Sequence, residues 1–404
     1  MSDRRSWRKA SGASHRMGRP GAFRPSGRRW RWGYRLGLTG LFLMPLAGLT
    51  YGYFALRQSP RTAVEAAQQA LAQARAVAAE QYAPTHWRKA EQVWEEVLRR
   101  WRLANQRWWS PPDDYAQITA LARQAQHEAI VAAAQATQVR DSLHRESDQM
   151  LEALAPRLDS LQRWLRLLPY RPGWLQQLQV AQQQYQAAQY ALEQQKLWEA
   201  ARKARQAHLQ TLALTQQVSD YVRDYLAQVP RWRQWVAEVR AEARRQNQWL
   251  IVVDKMARQC LVYRGDRQVA VFPIELGPNW MGTKHYAGDR ATPEGRYRVV
   301  RKLGPGETRY YRALLLDYPN AEDRARFARA RREGLLPPGA KIGGLIEIHG
   351  EGGRGADWTE GCVALHNQDM RRLYEMIPVG TPVVIVGTLD PPSWVQQMIA
   401  VHAR

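Results

Sequence analysis

"GGLIEIHGEGGRGADWTEGCVALHN", residues 343–367, is the stretch on which the reading of this chain turns. "GGLIEIHG" reads as a strand that ends at His349, bounded by glycines. Cys362 follows thirteen residues later, across a glycine-rich loop. A loop of that length can fold the thiol back to the imidazole. A thiolate is a nucleophile, and an imidazole can take its proton or pair with it. Gly361, just before the cysteine, lets the backbone come close to a substrate. Backbone N–H groups near Gly361 and Cys362 would then hold an oxyanion. The bland alternative is a buried thiol beside a chance histidine.

Around this stretch the pattern is that of strands. From Gln248, "WLIVVDKMARQCLVYRGDRQVAVFPIELG" alternates and is rich in Val, Ile and Tyr, with a hairpin turn at "YRGDRQV". "TPEGRYRVVRKLG", "RALLLDYPN" and "GTPVVIVG" continue it, with one helix at "NQDMRRLYEMIPVG". These elements predict a mostly β domain over 248–388, followed by a tail over 389–404. Asn367 and Asp369 are placed to cap that helix. "YPNAEDRARFARARREG" reads as a helical, basic insertion. Cys260 falls on a strand as a small core residue. With only two cysteines there is no disulfide framework; either Cys260 pairs with Cys362, or Cys362 stays free for chemistry.

Residues 60–247 are rich in Ala, Gln and Arg, with apolar positions recurring at three and four. Trp87, Ala90, Trp94, Val97 and Trp101 form one run; Leu151, Leu154, Leu158, Leu161, Leu165 and Leu168 form another. This spacing puts a stripe on one helix face and predicts a stalk of helical hairpins, coiled-coil-like in character. Breaks are expected at Pro84, Ser110–Asp114, Pro156, Pro169–Gly173 and Pro230. The tryptophans read first as packing residues, second as a binding face.

The first 35 residues carry eleven Lys/Arg against one Asp, with no apolar periodicity, and read as a disordered basic tail. "LGLTGLFLMPLAGLTYGYFAL", Leu36–Leu56, follows without a charge and ends at Arg57. As a helix it spans about 30 Å, a bilayer core. A cleaved signal peptide usually has a shorter apolar core and a small-residue cleavage site. The expectation is therefore a single-pass transmembrane helix at 36–56. By the positive-inside rule the tail stays cytoplasmic and the rest is extracytoplasmic, on an inner membrane. The formal charge of +22 suits an anionic partner. No nucleic-acid module accompanies it, so lipid and topology account for it better.

The order of motifs, "GDRATPEGRYRV", "YPN", "IEIHG", "TEGC", "GTPVVIV", resembles the L,D-transpeptidase catalytic domain, the YkuD-like fold, over about a third of the chain. That resemblance implies a β-sandwich-like domain with Cys362 as nucleophile and His349 as base. It implies that the second nitrogen of His349 is held by a carbonyl near Gly350, that Thr359 supports the loop, and that Gly361 and Cys362 donate to the oxyanion. It further implies a donor that is a peptidoglycan stem tetrapeptide, from which D-Ala leaves, and no cofactor. The acceptor is a second stem, a lipoprotein lysine or water. Two departures stand out. Ala364 occupies a position where many relatives have arginine. Glu360 occupies one where many have histidine, and an anion there would raise a thiol's pKa.

His285 and His366 are candidate substrate contacts at the rim. A zinc site from Cys362, His366 and Asp357 lacks a compelling fourth ligand, so no metal is expected. No P-loop, dinucleotide fingerprint or His-Glu-x-x-His occurs. The sequence thus predicts a membrane-anchored cysteine L,D-transpeptidase. Its rivals are a hydrolase of the same fold, trimming stems or releasing lipoprotein, and a non-catalytic scaffold whose stalk recruits other envelope proteins.

Overall fold

The computed structural model describes residue 50 and residues 59–107 and 112–400. The basic tail and nearly all of the Leu36–Leu56 run, expected to cross a membrane, lie outside the described residues. Among the described residues no helix is long and apolar enough to cross one.

The chain divides into two compact units, 1–137 and 138–404. In the first, α1 (Arg61–Ala76), α2 (Ala79–Tyr82) and α3 (Pro84–Gln106) precede α4 (Pro112–Leu167). The expected stripe is its core. Ala67, Val97, Ala104, Ile118, Ala122 and Ala125 are buried together, with Trp94 and Trp101 against them. Trp87 is buried, and neighbouring His86 meets Glu128 at 2.7 Å.

The second unit continues with α5 (Pro172–Glu193), α6 (Leu197–Leu226) and α7 (Val229–Arg245). Prolines open α3, α5 and α7 within their first two positions, where a missing N–H costs nothing. Pro156 does not break the chain as expected; it sits inside α4. Its ring removes one backbone bond, and Leu151, Leu154, Leu158 and Leu161, buried around it, hold the helix through the gap.

The remaining elements are β1 (Trp249–Asp254), β2 (Gln259–Arg264), β3 (Arg267–Pro273), β4 (Gly295–Leu303), β5 (Ala313–Leu316), α8 (Ala321–Arg332), β6 (Glu347–His349), β7 (Val363–Ala364), α9 (Asn367–Met376), β8 (Pro382–Val386) and α10 (Ser393–Ala400). Residues 393–400, read as part of a tail, thus form a helix that buries Val395 and Met398. α8 starts at a capping box in which the Asn320 side chain accepts from the Asp323 amide and Asp323 accepts from the Asn320 amide.

The strands form one eight-stranded sheet in the order β3-β2-β1-β8-β4-β5-β6-β7. β1 pairs parallel with β8, and β6 parallel with β7; the other pairs are antiparallel. Just beyond β3, Glu275 and Ala364 exchange backbone bonds of 2.9 and 2.8 Å. The continuation of one edge strand therefore meets the opposite edge, and the sheet curls on itself. This curl is what the sandwich expectation becomes.

The helices after residue 138 share one hydrophobic core with the sheet: Leu154, Leu161, Leu214, Val222 and Trp232 bury with Leu250, Val252, Val384 and Ile385. Gly387 is needed there. A methyl group on it would fall inside the Trp232 ring edge and 2.5 Å from the Tyr225 hydroxyl oxygen. That hydroxyl donates to Glu294 at 2.8 Å, and Glu294 also pairs with the fully buried Lys255 at 2.8 Å.

Candidate active site

Strand register brings the expected pair together. His349 pairs with Ala364 and Ile348 with Val363 in the parallel β6/β7 ladder. The Leu365 amide donates to the His349 carbonyl at 2.8 Å. Side chains alternate along a strand, so Glu347, His349, Cys362 and Ala364 project on one face. The Glu347 amide donates to the Cys362 Sγ at 3.4 Å, which fixes the thiol beside that ladder.

His349 is fully buried. Its Nδ1 lies 2.6 Å from the Gly350 carbonyl oxygen. A carbonyl only accepts, so Nδ1 carries the hydrogen and Nε2 is left as the base. Nε2 is buried without a hydrogen-bond partner. The ring is stacked on Tyr310, with centroids 3.5 Å apart and planes 6° apart, and meets Trp358 edge-on at 5.8 Å. Trp358 is in turn held by Glu275, which accepts from its Nε1 at 2.8 Å. Burial pushes the imidazole down to about 4, against the pull of the Gly350 carbonyl; Arg309 and Arg354 lower it further.

Cys362 is also buried and free, as is Cys260, so the two do not form a disulfide. Its thiol points at the Leu345 carbonyl oxygen, 3.6 Å away. Burial pushes it up to about 11, opposed by the Glu347 amide bond and by the positive charges of Arg309 and Lys284. The carboxylate that raises it is that of Glu347. Glu360, weighed from sequence for that role, turns outward and pairs with Arg290 at 3.4 Å. In the resting protein the pair is therefore neutral thiol and neutral imidazole.

The loop before the cysteine is held at three points. The Thr359 hydroxyl donates to the Cys362 carbonyl at 2.8 Å and accepts from the Gly361 amide at 3.2 Å. Lys284, buried and paired with Asp289 at 2.7 Å, donates to the Glu360 carbonyl at 3.3 Å. Gly361 has φ +123°, and a Cβ there would stand 2.5 Å from the Ala291 carbonyl oxygen. The Gly361 N–H is thus engaged by Thr359, whereas the Cys362 N–H has no hydrogen-bond partner among the described residues.

The other candidates lie elsewhere. His285 is exposed, in a turn closed on Asp289, and lines a cavity with Arg326, Arg329 and Leu335. His366 packs against Gly353 and lines a cleft of about 320 Å³ with Glu275, Asp357 and Ala364. Asn367 does not cap α9; its side-chain oxygen accepts from the Glu351 amide at 2.7 Å and so ties down the glycine-rich loop. Sequence reasoning passed over Glu347, Arg309, Tyr310, Trp358 and Lys284. Glu347 alone had a legible signal, its period-two spacing from His349.

The chain is similar in part to known proteins. The Escherichia coli (strain K12) protein YafK, whose name places it provisionally among the L,D-transpeptidases, is 30% identical over 97 residues, 24% of this chain and 32% of YafK. The O157:H7 protein of the same name matches equally. The chain thus spans about a third of the length of these curated relatives. An L,D-transpeptidase from Mycobacterium smegmatis aligns with 34% of this chain and 58% of its own, at 18% identity and TM-score 0.21. One from Xylanimonas cellulosilytica aligns with 34% and 59%, at 17% identity and TM-score 0.23. Residues 248–385, which include His349 and Cys362, match the model of the YkuD family, the L,D-transpeptidase catalytic domain.

Proposed function

We propose that this chain is a cysteine acyltransferase of the L,D-transpeptidase type, tethered to the inner membrane by residues 36–56, with residues after 57 outside the cytoplasm. Its donors are peptidoglycan stem peptides. The observation that carries the chemistry is the buried, unpartnered Nε2 of His349 on the face that bears Cys362.

When a donor carbonyl enters, the thiol turns from Leu345 to His349. Sγ attacks the carbonyl carbon of the third stem residue as Nε2 takes the thiol proton. The Cys362 N–H faces the developing oxyanion. The C–N bond to D-Ala breaks, and the imidazolium gives its proton to the departing amine. An acceptor amine then attacks the thioester, loses a proton to His349 and restores the thiol. Stacking on Tyr310 and the Gly350 bond keep the imidazole in one tautomer throughout. The helices before residue 248 and the basic tail suit an enzyme that works from a membrane on a cell-wall polymer, and offer surface for other envelope proteins.

The test is mass spectrometry of the full chain in detergent with disaccharide-tetrapeptides, beside a Cys362→Ala control. Loss of D-Ala with a joined dimer is expected. Loss of D-Ala alone would make it a trimming hydrolase. No adduct on Cys362 and no turnover would leave a scaffold and sink the proposal.

A further inference from the structure

Three consecutive residues between β4 and β5 each meet a different part of the site. The Thr308 hydroxyl donates to the Glu347 carboxyl at 2.9 Å. Tyr310 stacks on His349. Between them, Arg309 donates from its NH2 group to the Tyr310 hydroxyl at 2.6 Å, and its guanidinium lies 4.9 Å from the Tyr310 ring centroid. The segment is therefore a rim for the Cys362–His349 pair, and Arg309 is its exposed residue.

Several arginines around this sheet have an acid to neutralise them, while others, Arg354 over the Trp358 ring among them, have none among the described residues. Arg258 pairs with Asp357, Arg290 with Glu360, Arg296 with Glu238 and Glu322, and Arg301 with Glu307. Arg309 has no ion-pair partner among the described residues. The nearby acid, Glu347, is buried behind the thiol and bonded to Thr308. Its carboxyl is raised by burial, which weakens it further as a counter-ion. Arg309 is an exposed guanidinium held by the aromatic ring that stacks on His349, with its charge unmet.

We infer that Arg309 is the residue that reads a carboxylate of the acyl donor and so sets donor specificity. A planar guanidinium gripped at one edge by Tyr310 keeps its other N–H groups in a fixed fork, the geometry that suits a carboxylate. The Tyr310 contact also means that the carboxylate is read through the ring that orients the base, so donor docking and imidazole placement are one event. This rests on the acyl-transfer reading above and names a chemical requirement on its substrate. The carboxylate has two sources in a stem peptide: the terminus of the leaving residue, and the side chain of the diamino acid.

Calorimetry on the full chain in detergent tests it without any turnover. Cys362→Ala protein is titrated with three probes: a free-acid disaccharide-tetrapeptide, its C-terminal carboxamide, and its side-chain carboxamide. Binding of the free acid about tenfold tighter than one of the amides is expected, as for a charge-assisted bond at a partly wet site. That amide identifies the carboxylate read. In Cys362→Ala/Arg309→Met the preference should vanish, with the affinity of that amide unchanged. An undiminished preference overturns the inference. So does an equal loss for all three probes, which is what a structural role gives, and so does no binding of any probe. Should the preference hold while wild-type protein forms no adduct on Cys362, carboxylate reading stands and acyl transfer falls.

Discussion

The His349 ring lies flat on the Tyr310 ring, 3.5 Å between centroids and 6° between planes. A histidine with one nitrogen bonded to a backbone carbonyl can still swing about that bond; a ring stacked on it cannot. The stack therefore fixes where Nε2 points. Tyr310→Leu should lower kcat/KM about 100-fold, the cost of a mis-set catalytic group, with KM changed little. Tyr310→Phe keeps the stack, loses only the bond from Arg309, and should stay within about threefold in kcat. Steady-state kinetics on the pair of variants separate orientation from the hydroxyl; equal losses in both would remove the role given to stacking.

The neutral state of the pair sets the pH profile. His349 is held down to about 4 by burial, and Cys362 is pushed up to about 11. Below about pH 4 the imidazole is protonated and cannot accept; above it the base is free. Activity should therefore rise through an apparent pKa near 4 and stay level across neutral pH. A midpoint near 6.5 would mean a solvated imidazole. Stability follows the same group. Its folded pKa lies below its unfolded value, so the unfolded chain binds the proton more readily. Stability is full above about pH 6.5 and falls as pH drops toward 4, by about 3 kcal/mol at most. His349→Gln should flatten that part of a melting-temperature profile. The thiol, almost wholly protonated at pH 7, should react with iodoacetamide more slowly than a free cysteine peptide.

The loop bearing Cys362 tolerates no side chain at Gly361. φ +123° is a region that L-residues avoid, and the Ala291 carbonyl occupies the space a Cβ would need. Gly361→Ala should cost about 2–3 kcal/mol and displace the Thr359 bonds on either side. Thermal denaturation measures the first, and loss of acylation by donor the second. A variant with unchanged melting and unchanged acylation would mean that the loop rearranges freely.

These residues show what the sequence could disclose. Cys362 and His349 stood out in the sequence because residue types able to serve as nucleophile and base are rare, and these two sit after a glycine and at a strand end. Gly361 stood out by its place beside Cys362, and Thr359 only through the resemblance. Adjacency misled at Glu360, because the turn that presents Cys362 sends the residue two before it toward Arg290. Tyr310 and Arg309 carry no local signal, since the β5/β6 ladder brings their loop beside His349, and Trp358 carries none, since its ring is held by Glu275, which the curl joins to Ala364. In the helices, spacing revealed the buried stripe, but Pro156 showed that a breaker yields to packing. No periodicity could reveal that Tyr225 reaches Glu294, sixty-nine positions away.

That last contact gives a prediction about how α6 is tied to the sheet. Glu294 receives the Tyr225 hydroxyl and the ammonium of Lys255, and Lys255 also donates to the Gly282 and Thr292 carbonyls at 2.6 and 2.9 Å. Tyr225→Phe removes one donor and leaves the ion pair intact, at a cost of about 1–3 kcal/mol. Glu294→Gln strips a buried ammonium of its anion and should cost more, about 3–5 kcal/mol. The double variant should lose less than the sum, because both act on one carboxylate. Denaturant titration of the three proteins decides it. If Glu294→Gln proves no worse than Tyr225→Phe, Lys255 is neutral in the folded protein, in keeping with the way burial lowers it, and the contact is a hydrogen-bond network with no ion pair in it.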